Sequence, residues 1–559
     1  MKRIRPEIIL LTLFLIAVTV PQSMRGTLKL PAYYANNMVL QQNTRFVLHG
    51  KGVPGRSVRV ICSWDKKRID QAIGEDSTFA IEVTTPAAKM EPCKIDLYEM
   101  IMRDGTPLRF SHHITLSPVY VGEVWLCSGQ SNMEMAVTGW GMKNAEQEKA
   151  TAESYPDIKL LRVKRTANRP KPSDEEQLDF SWTKCSSSSV KDFSALAYLY
   201  GRMLYDSLRV PVGLIECCYG GANAQAWISL EKARQIPALK SQLDTYEGYG
   251  FDLTKIRAAG DNIGEQQVPT LLYNTMLHPL KGYPIRGAIW YQGEANAGNN
   301  FYTQLMDTLI SSWRQDWGYD FPFYYMQLAG YYEPKDMQMS SWWAKTRQSQ
   351  LETLKMPGTG MATCVDIGDP SDIHPKNKQE AARRLALVAL RHTYGRNVVA
   401  EAPVPIDFQL GYKKAVITFN GPIHIKNDSV PVGFVLRDKT WSNKYYVGKA
   451  TQVSDSVIEV TTTSMARVRS VYYDWADCPM GNLYGPNELP VLPFSSEETI
   501  INSIGEVRTN ASGRSAAGVR GIYTADGIRL GDSGEMDKLR PTLPDGIYII
   551  DGKKEIIKH

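Results

Sequence analysis

The feature that most constrains the fold lies between residues 120 and 400, where short apolar runs alternate with longer amphipathic segments. The apolar runs have the length of strands, and the segments between them have helical length and periodicity. Parallel strands need crossover connections of this kind, so the pattern is typical of a parallel sheet with helices. The sequence therefore predicts an α/β domain over residues 120–400. Its candidate strands are "EVWLC", "VGLIECC", "GAIWY", "FPFYYMQL" and "MATCVDI".

The regions on either side of this domain follow a different pattern. Residues 24–119 alternate between apolar and polar, as in "SVRVIC", and contain turns such as "GEDST". Residues 401–500 return to strand-like runs, among them "KAVITFN" and "SVIEVTTT". Residues 501–559 begin with a polar stretch and end in two strand-like runs, which predicts a linker and a small β module. A chain of 559 residues is long enough for several such domains.

The first 23 residues are predicted to be a signal peptide. The basic start "MKRIRPE" precedes the apolar run "IILLTLFLIAVTV" and the polar exit "PQS". This run is short for a stable membrane span, so a cleaved signal is favoured over an anchor. The exit has no clean small-x-small cleavage pattern, and an uncleaved signal stays the alternative. We expect an exported protein, located in the periplasm or at the cell surface.

Charge and cysteine usage exclude several classes of function. The formal net charge is only +5 and no run of Lys or Arg is present, so no nucleic-acid partner is expected. The eight cysteines suit an exported protein without a dense disulfide framework, and Cys62 and Cys93 could pair. Neither C-x-x-C nor H-E-x-x-H occurs, so we expect no metal site and no cofactor.

Polar clusters follow four of the predicted strands. They are "SGQSNME", "YGGANAQAW", "QGEANAGN" and "GDPSDIHPKNKQE". The carboxyl ends of parallel strands lie along one edge of a sheet, and ligands bind there. The sequence therefore predicts that these four clusters meet at one rim.

Ser131 lies in the first cluster, and a helix is expected to begin near Asn132. This position leaves the hydroxyl exposed for nucleophilic attack, but a serine there is also a common helix N-cap. The two roles are compatible, and both stay open. Met133 replaces the second glycine of G-x-S-x-G, so the turn differs from the nucleophile elbow of α/β-hydrolases.

The second and third clusters offer hydrogen-bond donors. Gly220 and Gly221 permit a tight turn and let a backbone N–H approach a ligand, although Gly-Gly is also an ordinary turn. The Gln292 amide can donate to a developing oxyanion, and the Glu294 carboxylate can orient that amide. Asn296 belongs to the same cluster. Polar residues after a strand are also ordinary loop material.

His374 is the candidate base for Ser131. Asp369 and Asp372 precede it, and an imidazole oriented by a carboxylate is what serine activation requires. His278 is the rival, but its apolar context "MLHPL" is typical of a packed histidine. The helix predicted after Pro375 has an apolar stripe of Ala381, Leu385 and Val388.

The combination of motifs resembles a known family. "GEVWLCSGQSNMEM", "GGANAQAW", "LYNTMLHPL…GAIWYQGEAN" and "DIGDPSDIHPKNKQEAARRLA" together are similar to the sialate O-acetylesterases, which are SGNH-type serine hydrolases. The resemblance covers roughly residues 30–497. It implies a three-layer α/β/α domain with a parallel sheet, flanked by N- and C-terminal β-sandwich-like domains. Separately, residues 519–558 resemble short C-terminal modules that direct secretion or surface retention.

The resemblance also implies roles for individual residues. Ser131 would be the nucleophile and His374 the general base, with an oxyanion hole formed by the Ser131 N–H, an N–H of Gly220 or Gly221, and the Gln292 amide. Many SGNH hydrolases carry Asp-x-x-His, whereas here Ser371 is the residue three before the histidine. Asp372 either completes a triad or leaves a Ser–His dyad. The residues expected to support the site or bind substrate are Asn132, Glu294 and Asn296.

The activity implied by the resemblance is removal of O-acetyl groups from sugars, in the first place from sialic acid. The expected partner is an O-acetylated sugar or glycan, and Trp140 is a candidate for the rim of its pocket. One alternative is an esterase for acetyl-xylan or another polysaccharide. Another is a non-catalytic carbohydrate-binding surface protein.

Overall fold

The structure is a computed structural model that describes residues 28–428, 430–439 and 444–497, and short segments between 500 and 557. The predicted signal peptide, residues 1–23, lies outside the described residues. The strands up to the end of the predicted α/β domain are β1 (Val39–Gln41), β2 (Arg45–Lys51), β3 (Arg56–Cys62), β4 (Arg68–Ala72), β5 (Thr78–Thr84), β6 (Lys89–Arg103), β7 (Thr106–Gly129), β8 (Ile158–Val163), β9 (Leu178–Lys184), β10 (Val212–Cys218), β11 (Gly287–Tyr291), β12 (Phe323–Gln327) and β13 (Thr359–Thr363).

In the part of the chain that the structure describes, the α-helices lie in the predicted α/β domain. They are α1 (Ser131–Glu134), α2 (Ala145–Thr151), α3 (Ser187–Val190), α4 (Ala195–Leu208), α5 (Leu230–Ala233), α6 (Lys240–Gly248), α7 (Leu253–Ala258), α8 (Tyr302–Trp317), α9 (Trp342–Glu352) and α10 (Lys378–His392). Single 3-10 turns, Ala224–Trp227 and Glu294–Asn296, follow β10 and β11. The chain thus has the mixed α/β composition that its alternating pattern predicts.

The chain divides into two compact units. The first comprises the segments up to Leu30, Leu48–Ile81 and Ile95–Thr115, and in it β3 pairs antiparallel with β4 and β6. The second comprises Pro31–Val47, Glu82–Lys94 and Leu116–His559. Strand β7 runs without interruption through positions 119 and 120. The domain boundaries inferred from composition stay predictions.

The second unit is built on a central sheet with the strand order β13–β12–β11–β7–β10–β8–β9. Every neighbouring pair is parallel except β8 and β9, which are antiparallel. All five apolar runs singled out in the sequence overlap strands of this sheet, although only the first three residues of "MATCVDI" lie in β13, which ends at Thr363. A mostly parallel sheet therefore forms the framework of the site.

Burial explains why these strands are mostly apolar. Every residue of β10, β11, β12 and β13 is buried, so both faces of the sheet are covered. Helices α4 and α10 pack together and share one hydrophobic cluster with strand residues such as Trp125 and Leu214. Helix α10 begins at Lys378, with Asn377 as its N-cap. Its stripe of Ala381, Leu385 and Val388 is completely buried, as predicted.

The region after residue 400 is antiparallel. The strands are β14 (Pro405–Leu410), β15 (Lys414–Phe419), β16 (His424–Ile425), β17 (Phe434–Asp438), β18 (Tyr445–Val447), β19 (Lys449–Ser454), β20 (Val457–Thr461), β21 (Val468–Tyr473), β22 (Leu483–Gly485), β23 (Leu489–Pro490), β24 (Phe494–Ser495), β25 (Ile500–Ile501), β26 (Val507–Arg508), β27 (Ile522–Thr524), β28 (Arg529–Gly531), β29 (Gly546–Ile550) and β30 (Lys553–Ile557). Strands β14 to β24 form separate sheets in the orders β14–β15–β20–β19, β18–β17–β21–β24 and β16–β22–β23. Strands β27 to β30 form a four-stranded sheet in the predicted C-terminal module.

Three further features bear on the sequence predictions. Cys93 carries a free thiol, so the disulfide that the sequence allows with Cys62 is not formed. Within the described residues, no helix combines the length and apolar character needed to cross a membrane. The same part of the chain contains no group of three His, Cys, Asp or Glu side chains placed to hold a metal ion.

Candidate active site

The strand register brings the predicted polar clusters together. Gly129 at the end of β7 pairs with Cys218 of β10 on one side and with Tyr291 of β11 on the other. The three clusters that follow these residues therefore start side by side. Gly129 has φ +137°, and a Cβ there would lie 2.2 Å from the carbonyl oxygen of Tyr291. Only glycine fits where β7 turns away so close to β11.

Ser131 and His374 face each other across this edge. Ser131 is the first residue of α1, and its Oγ lies 2.9 Å from Nε2 of His374. Both side chains are partly buried. Burial lowers the pKa of His374 from its usual value, and the neighbouring Asp372 carboxylate opposes that shift. The imidazole is therefore neutral near pH 7 and can accept the proton of the hydroxyl.

Asp372 occupies the orienting position beside the imidazole. Its Oδ1 lies 3.1 Å from Nδ1 of His374 and also accepts the backbone N–H of His374 at 2.9 Å. Its other oxygen lies 2.7 Å from Nζ of Lys376. Hydrogen bonding to Lys376, reinforced by His374, lowers the pKa of Asp372 to about 2. With Nδ1–H donating to this carboxylate, Nε2 is left as the acceptor for Ser131.

The other carboxylate upstream of the histidine has a different role. Asp369 Oδ1 accepts the backbone N–H of Ser371 at 2.9 Å and its hydroxyl at 2.7 Å. This is an Asx turn, which shapes the loop rather than the imidazole. Asp372, two residues before His374, makes the carboxylate contact with the imidazole for which the Asp-x-x-His motif places the aspartate three residues before the histidine.

Asn132 connects the serine to the other loops of the site. Its Nδ2 donates to the carbonyl of Ile373 at 3.0 Å and to Oε1 of Glu294 at 2.6 Å. Its Oδ1 accepts from Nζ of Lys378 at 2.7 Å. One buried amide thereby ties the residue after Ser131 to the histidine loop, to the loop after β11 and to the start of α10. These bonds fix the distance between nucleophile and base.

Lys378 was not recognised from the sequence. Its side chain is fully buried, and burial lowers its pKa to about 8. Glu294 Oε2, on the other side of Asn132, is buried without a hydrogen-bond partner, and burial raises the pKa of this carboxyl. A signal was present, because position 378 continues the stripe of Ala381, Leu385 and Val388. A lysine on the buried face of a helix needs a polar partner inside the protein.

The side of the site opposite the histidine contains Gly220. A Cβ on Gly220 would lie 3.6 Å from Cβ of Ser131, so the two residues are neighbours. The Gly220 N–H, however, donates to Oε2 of Glu134. Glu134 is held in turn by Arg165, whose Nη1 lies 3.2 Å from Oε1. The Gly220 N–H is therefore already used.

Two backbone donors near Ser131 are free. Among the described residues, no acceptor is bound to the N–H of Ser131 or to that of Gly221. Gly221 has φ +70°, the left-handed conformation that glycine adopts most readily. Of the two glycines, Gly221 is thus the one with an available donor.

The Gln292 amide is engaged on both sides. Its Nε2 donates to the carbonyl of Ala222 at 3.2 Å and to Oδ1 of Asn296 at 2.7 Å, while its Oε1 accepts from the Tyr302 hydroxyl at 2.8 Å. Asn296 Oδ1 also accepts the N–H of Ala224 at 2.8 Å. Gln292 and Asn296 therefore brace the β10 and β11 loops against each other. Gln292 reaches an oxyanion only by sharing or releasing one of these donors.

The structure also shows the positions of Trp140, the candidate for the pocket rim, and His278, the rival candidate for the base. The Trp140 ring stands edge-on to the His374 imidazole, with centroids 5.2 Å apart, and its carbonyl accepts from Lys376 Nζ at 2.8 Å. Trp140 therefore borders the base. His278 instead contacts Asp174 at 3.2 Å and the Tyr273 hydroxyl at 3.4 Å. Its recorded hydrogen bonds do not include Ser131.

Known proteins match the part of the chain that carries this geometry. Residues 121–390 match the family model described as "Carbohydrate esterase, sialic acid-specific acetylesterase". This range contains all the residues predicted for the site. Residues 121–390 form a domain of this esterase family.

Individual relatives extend the similarity beyond the esterase domain. A mouse sialate O-acetylesterase is 29% identical over 71% of this chain and 79% of its own length. The human sialate O-acetylesterase is 27% identical over 83% of this chain and 91% of its own. The crystal structure of a carbohydrate acetylesterase from Xanthomonas citri is 27% identical, with a TM-score of 0.71, and covers 84% of this chain and 99% of that one. The protein is an esterase, which leaves the non-catalytic alternative without support.

Proposed function

We propose that this esterase removes O-acetyl groups from sugars by serine acyl transfer, with sialic acid as the principal acetylated sugar. The observation that carries the proposal is the 2.9 Å contact between Ser131 Oγ and His374 Nε2 within a domain of the sialic acid-specific acetylesterase family. The sialate O-acetylesterases among its relatives support the sugar. Acetylated polysaccharide such as acetyl-xylan is the second candidate, since the Xanthomonas citri protein is named only a carbohydrate acetylesterase.

In the first step, His374 Nε2 accepts the proton of the Ser131 hydroxyl while Oγ forms a bond to the acetyl carbonyl carbon. The N–H groups of Ser131 and Gly221 are available to stabilise the resulting oxyanion, with Gln292 as a further donor once an acceptor is released. The protonated His374 then donates its proton to the sugar oxygen. The bond between that oxygen and the acyl carbon breaks, and the deacetylated sugar leaves an acetyl-serine.

In the second step, water replaces the sugar. His374 accepts one proton from this water as the water oxygen attacks the acetyl-serine, and that proton then passes to Ser131 Oγ as acetic acid leaves and ionises to acetate. Asp372 stabilises the imidazolium in both steps, which makes a Ser–His–Asp triad our preferred arrangement over a dyad. The residues of the site perform this chemistry by proton transfer and hydrogen bonding.

Two structural and cellular features belong to the same proposal. We infer the SGNH-type three-layer α/β/α arrangement for the esterase domain, with β-sandwich-like domains on its two sides. We also infer export guided by residues 1–23, to the periplasm or the cell surface. Expression of the full chain in a bacterial host, followed by fractionation and N-terminal sequencing, tests the export. A cytoplasmic protein that keeps its first residue would contradict it.

The substrate is tested by acetate release from O-acetylated sialic acid and, in parallel, from acetyl-xylan. The wild type is expected to release acetate from the sialic acid at the higher kcat/KM. A strong preference for xylan would keep the chemistry and replace the sugar. Absence of release from both substrates and from 4-nitrophenyl acetate would overturn the proposal.

A further inference from the structure

A segment rich in exposed aromatic residues, 330–343, adjoins two loops of the active site. At its start, a Cβ added to Gly368 would lie 2.0 Å from the carbonyl oxygen of Gly330, so the segment touches the loop that leads to His374. At its end, a Cβ added to Gly298 would lie 2.9 Å from the Trp342 indole. Gly298 follows Asn296 by two residues. The aromatic segment therefore runs along the rim from one catalytic loop to the other.

The aromatic segment is anchored by Asp477. Its Oδ1 accepts from the Ser341 hydroxyl at 2.5 Å, its Oδ2 accepts from the Gln338 amide, and its carbonyl accepts the N–H of Tyr331 at 3.2 Å. The fully buried Arg347 donates to the same carbonyl at 2.7 Å. Ser341 also caps α9 through the N–H of Ala344, at 2.9 Å. The position of the first helical residue, Trp342, is thus set before any ligand arrives.

The rings of the aromatic segment divide into buried and exposed ones. Trp343 is buried and donates its indole N–H to the carbonyl of Ala329 at 3.1 Å. Tyr332 packs edge-on against Trp343, with centroids 5.5 Å apart, and is itself 49% exposed. Trp342 is 65% exposed although its indole rests against Gly298. Two large rings on a braced support are left facing water, in a segment that touches the loops at Gly298 and Gly368, and exposed rings of this kind are a feature of binding surfaces.

The chemistry of these rings selects their ligand. An aromatic face is apolar and binds the C–H face of a sugar ring. Stacking of this kind covers only that face, so the hydroxyl groups of the sugar stay in contact with water. A carboxylate gains nothing from such a face, so the aromatic pair suits a neutral sugar. In a glycan, that sugar would be the one next to the acetylated residue.

We propose that Trp342 and Tyr332 form a glycan subsite that binds a neutral sugar ring adjoining the acetylated sugar. The subsite rests on the proposed function, since it extends the same substrate outward from Ser131. It makes the esterase more efficient on an acetylated sugar within an oligosaccharide than on the free acetylated sugar. The distinction is one of substrate length, whichever acetylated sugar occupies the catalytic site.

The test compares KM for free O-acetylated sialic acid with KM for O-acetylated sialyllactose, using the full chain. Trp342→Ala is expected to raise KM for the oligosaccharide by about tenfold more than KM for the monosaccharide, the cost of losing one aromatic contact. Trp342→Phe retains a ring and restores most of the difference. Tyr412→Ala removes a 67% exposed tyrosine between β14 and β15 and is the matched control, with both KM values unchanged. An equal change for both substrates, or none, would overturn the subsite.

Failure of the proposed substrate can be told apart from failure of the subsite. If acetate is released from xylan instead, the same comparison is made between acetylated xylose and acetylated xylobiose. If neither acetylated sugar is hydrolysed, saturation-transfer NMR measures binding of sialyllactose and xylohexaose to Ser131→Ala protein. Binding that weakens with Trp342→Ala supports the subsite without catalysis. Binding that is absent, or indifferent to that substitution, overturns it.

Discussion

The two sides of the active site differ in how many of their hydrogen-bonding groups are already committed. On the side of the base, hydrogen bonds link Asp372, His374 and Ser131 in a continuous series. The series ends at Ser131 Oγ, which lies 2.9 Å from His374 Nε2. On the oxyanion side, the Gly220 N–H is bound to Glu134 and the Gln292 amide to Ala222 and Asn296.

This difference separates polar residues that transfer a proton from polar residues that hold loops together. The base side must keep one proton path open, so its residues form a line with a reacting atom at the end. The oxyanion side must hold two loops at a fixed distance, and its side-chain amides do so by bonding to each other. The donors left for substrate are backbone N–H groups, those of Ser131 and Gly221. Backbone donors in a braced loop are well suited to stabilise an oxyanion because they need little reorganisation.

The largest expected effect is the loss of the nucleophile. Ser131→Ala should lower kcat by about 10⁴- to 10⁶-fold, because neither the hydroxyl nor a covalent intermediate remains. Acetate release from 4-nitrophenyl acetate measures it, and a fluorophosphonate should label the wild type alone. Ser128→Ala is the matched control, since this buried hydroxyl on β7, three residues before Ser131, has no hydrogen-bond partner. Activity above a tenth of wild type in Ser131→Ala would break the assignment of the base side.

The second prediction concerns Gln292. Gln292→Ala should lower kcat by about 10²- to 10³-fold if its amide joins the oxyanion hole. It should also lower the free energy of unfolding by about 1–3 kcal/mol, because the buried Tyr302 hydroxyl and the buried Asn296 Oδ1 each lose a hydrogen bond to the Gln292 amide. Steady-state kinetics and urea denaturation measure the two effects. Tyr302→Phe removes the bonds to the backbone carbonyl and to the amide oxygen of Gln292 but leaves the amide N–H donors in place, so it is the control, expected to affect stability more than kcat.

The outcome for Gln292 sharpens the comparison between the two sides. A loss of stability with kcat unchanged would make Gln292 a structural brace and leave the oxyanion to backbone donors alone. A loss of kcat with stability unchanged would mean that its present bonds contribute little and that the amide turns to the substrate.

The third prediction concerns the orienting carboxylate. Asp372→Asn should lower kcat/KM by about 10- to 10²-fold, because an amide favours the wrong imidazole tautomer and stabilises an imidazolium poorly. Asp369→Asn, in the same loop but bonded to Ser371, is the control and should retain near wild-type kcat/KM. Equal rates for Asp372→Asn and the wild type would indicate a Ser–His dyad.

The fourth prediction concerns Lys378, which positions Asn132. Lys378→Met should lower kcat by about tenfold while KM changes little, because Asn132 Oδ1 loses its donor and the link between Ser131 and the histidine loop loosens. The pKa of Lys378 is lowered to about 8, so the wild type should lose activity as pH rises through 8. The variant should lack this alkaline limb. An alkaline limb that persists unchanged in Lys378→Met would show that Lys378 does not position the site.

The same pKa predicts a change in stability. The lysine gives up its proton near pH 8 when folded but near its usual 10.5 when unfolded. Between these values the unfolded chain binds more protons, so the contribution of this group to the free energy of unfolding increases with pH. Urea denaturation of wild type and Lys378→Met at pH 7.5 and 9.5 measures the difference. A wild type that gains no stability over the variant at the higher pH would contradict it.

The smallest expected effect is on the acidic side of the pH profile of kcat/KM, its acid limb. Burial holds the pKa of His374 below its usual 6.5, and Asp372 partly offsets that shift. More than half of the imidazole is therefore neutral at pH 6.5, and the fall in kcat/KM should be centred below that pH. Removing the carboxylate charge in Asp372→Asn should move this limb further toward acid. The pH profile of kcat/KM for the two proteins checks the direction, and a limb that moves upward would contradict it.

Much of the fold follows from the sequence because strand burial leaves a direct trace in residue type. "GAIWY" is apolar throughout and "VGLIECC" is apolar except for Glu216, and both lie in strands buried on both faces. The polar clusters that follow such strands lie at one edge of a parallel sheet, so the candidate residues around Ser131 and His374 could be predicted from the sequence. The unbroken passage of β7 through position 119 could not be predicted, because the change of pattern at that position does not mark the end of a strand.

Local spacing also carried part of the site. The closeness of Asp372 to His374 is a matter of two residues in one loop, which sequence reasoning can identify. The burial of Lys378 beneath Asn132 depends on how α10 meets the loop after β7, two regions separated by about 240 residues in the chain. Periodicity marks that position as buried, but it does not identify the acceptor.

By itself, the sequence determined the parallel α/β framework, the four polar clusters and the pairing of a serine with a histidine. These depend on burial periodicity and on the direction of neighbouring strands. Only the tertiary structure decided how the hydrogen bonds are distributed: Gly220 to Glu134, Gln292 to Asn296 and Asn132 to Lys378. The physical reason is that each amide or carboxylate has several partners it could take. The choice is made by distances between loops, which no single stretch of sequence contains.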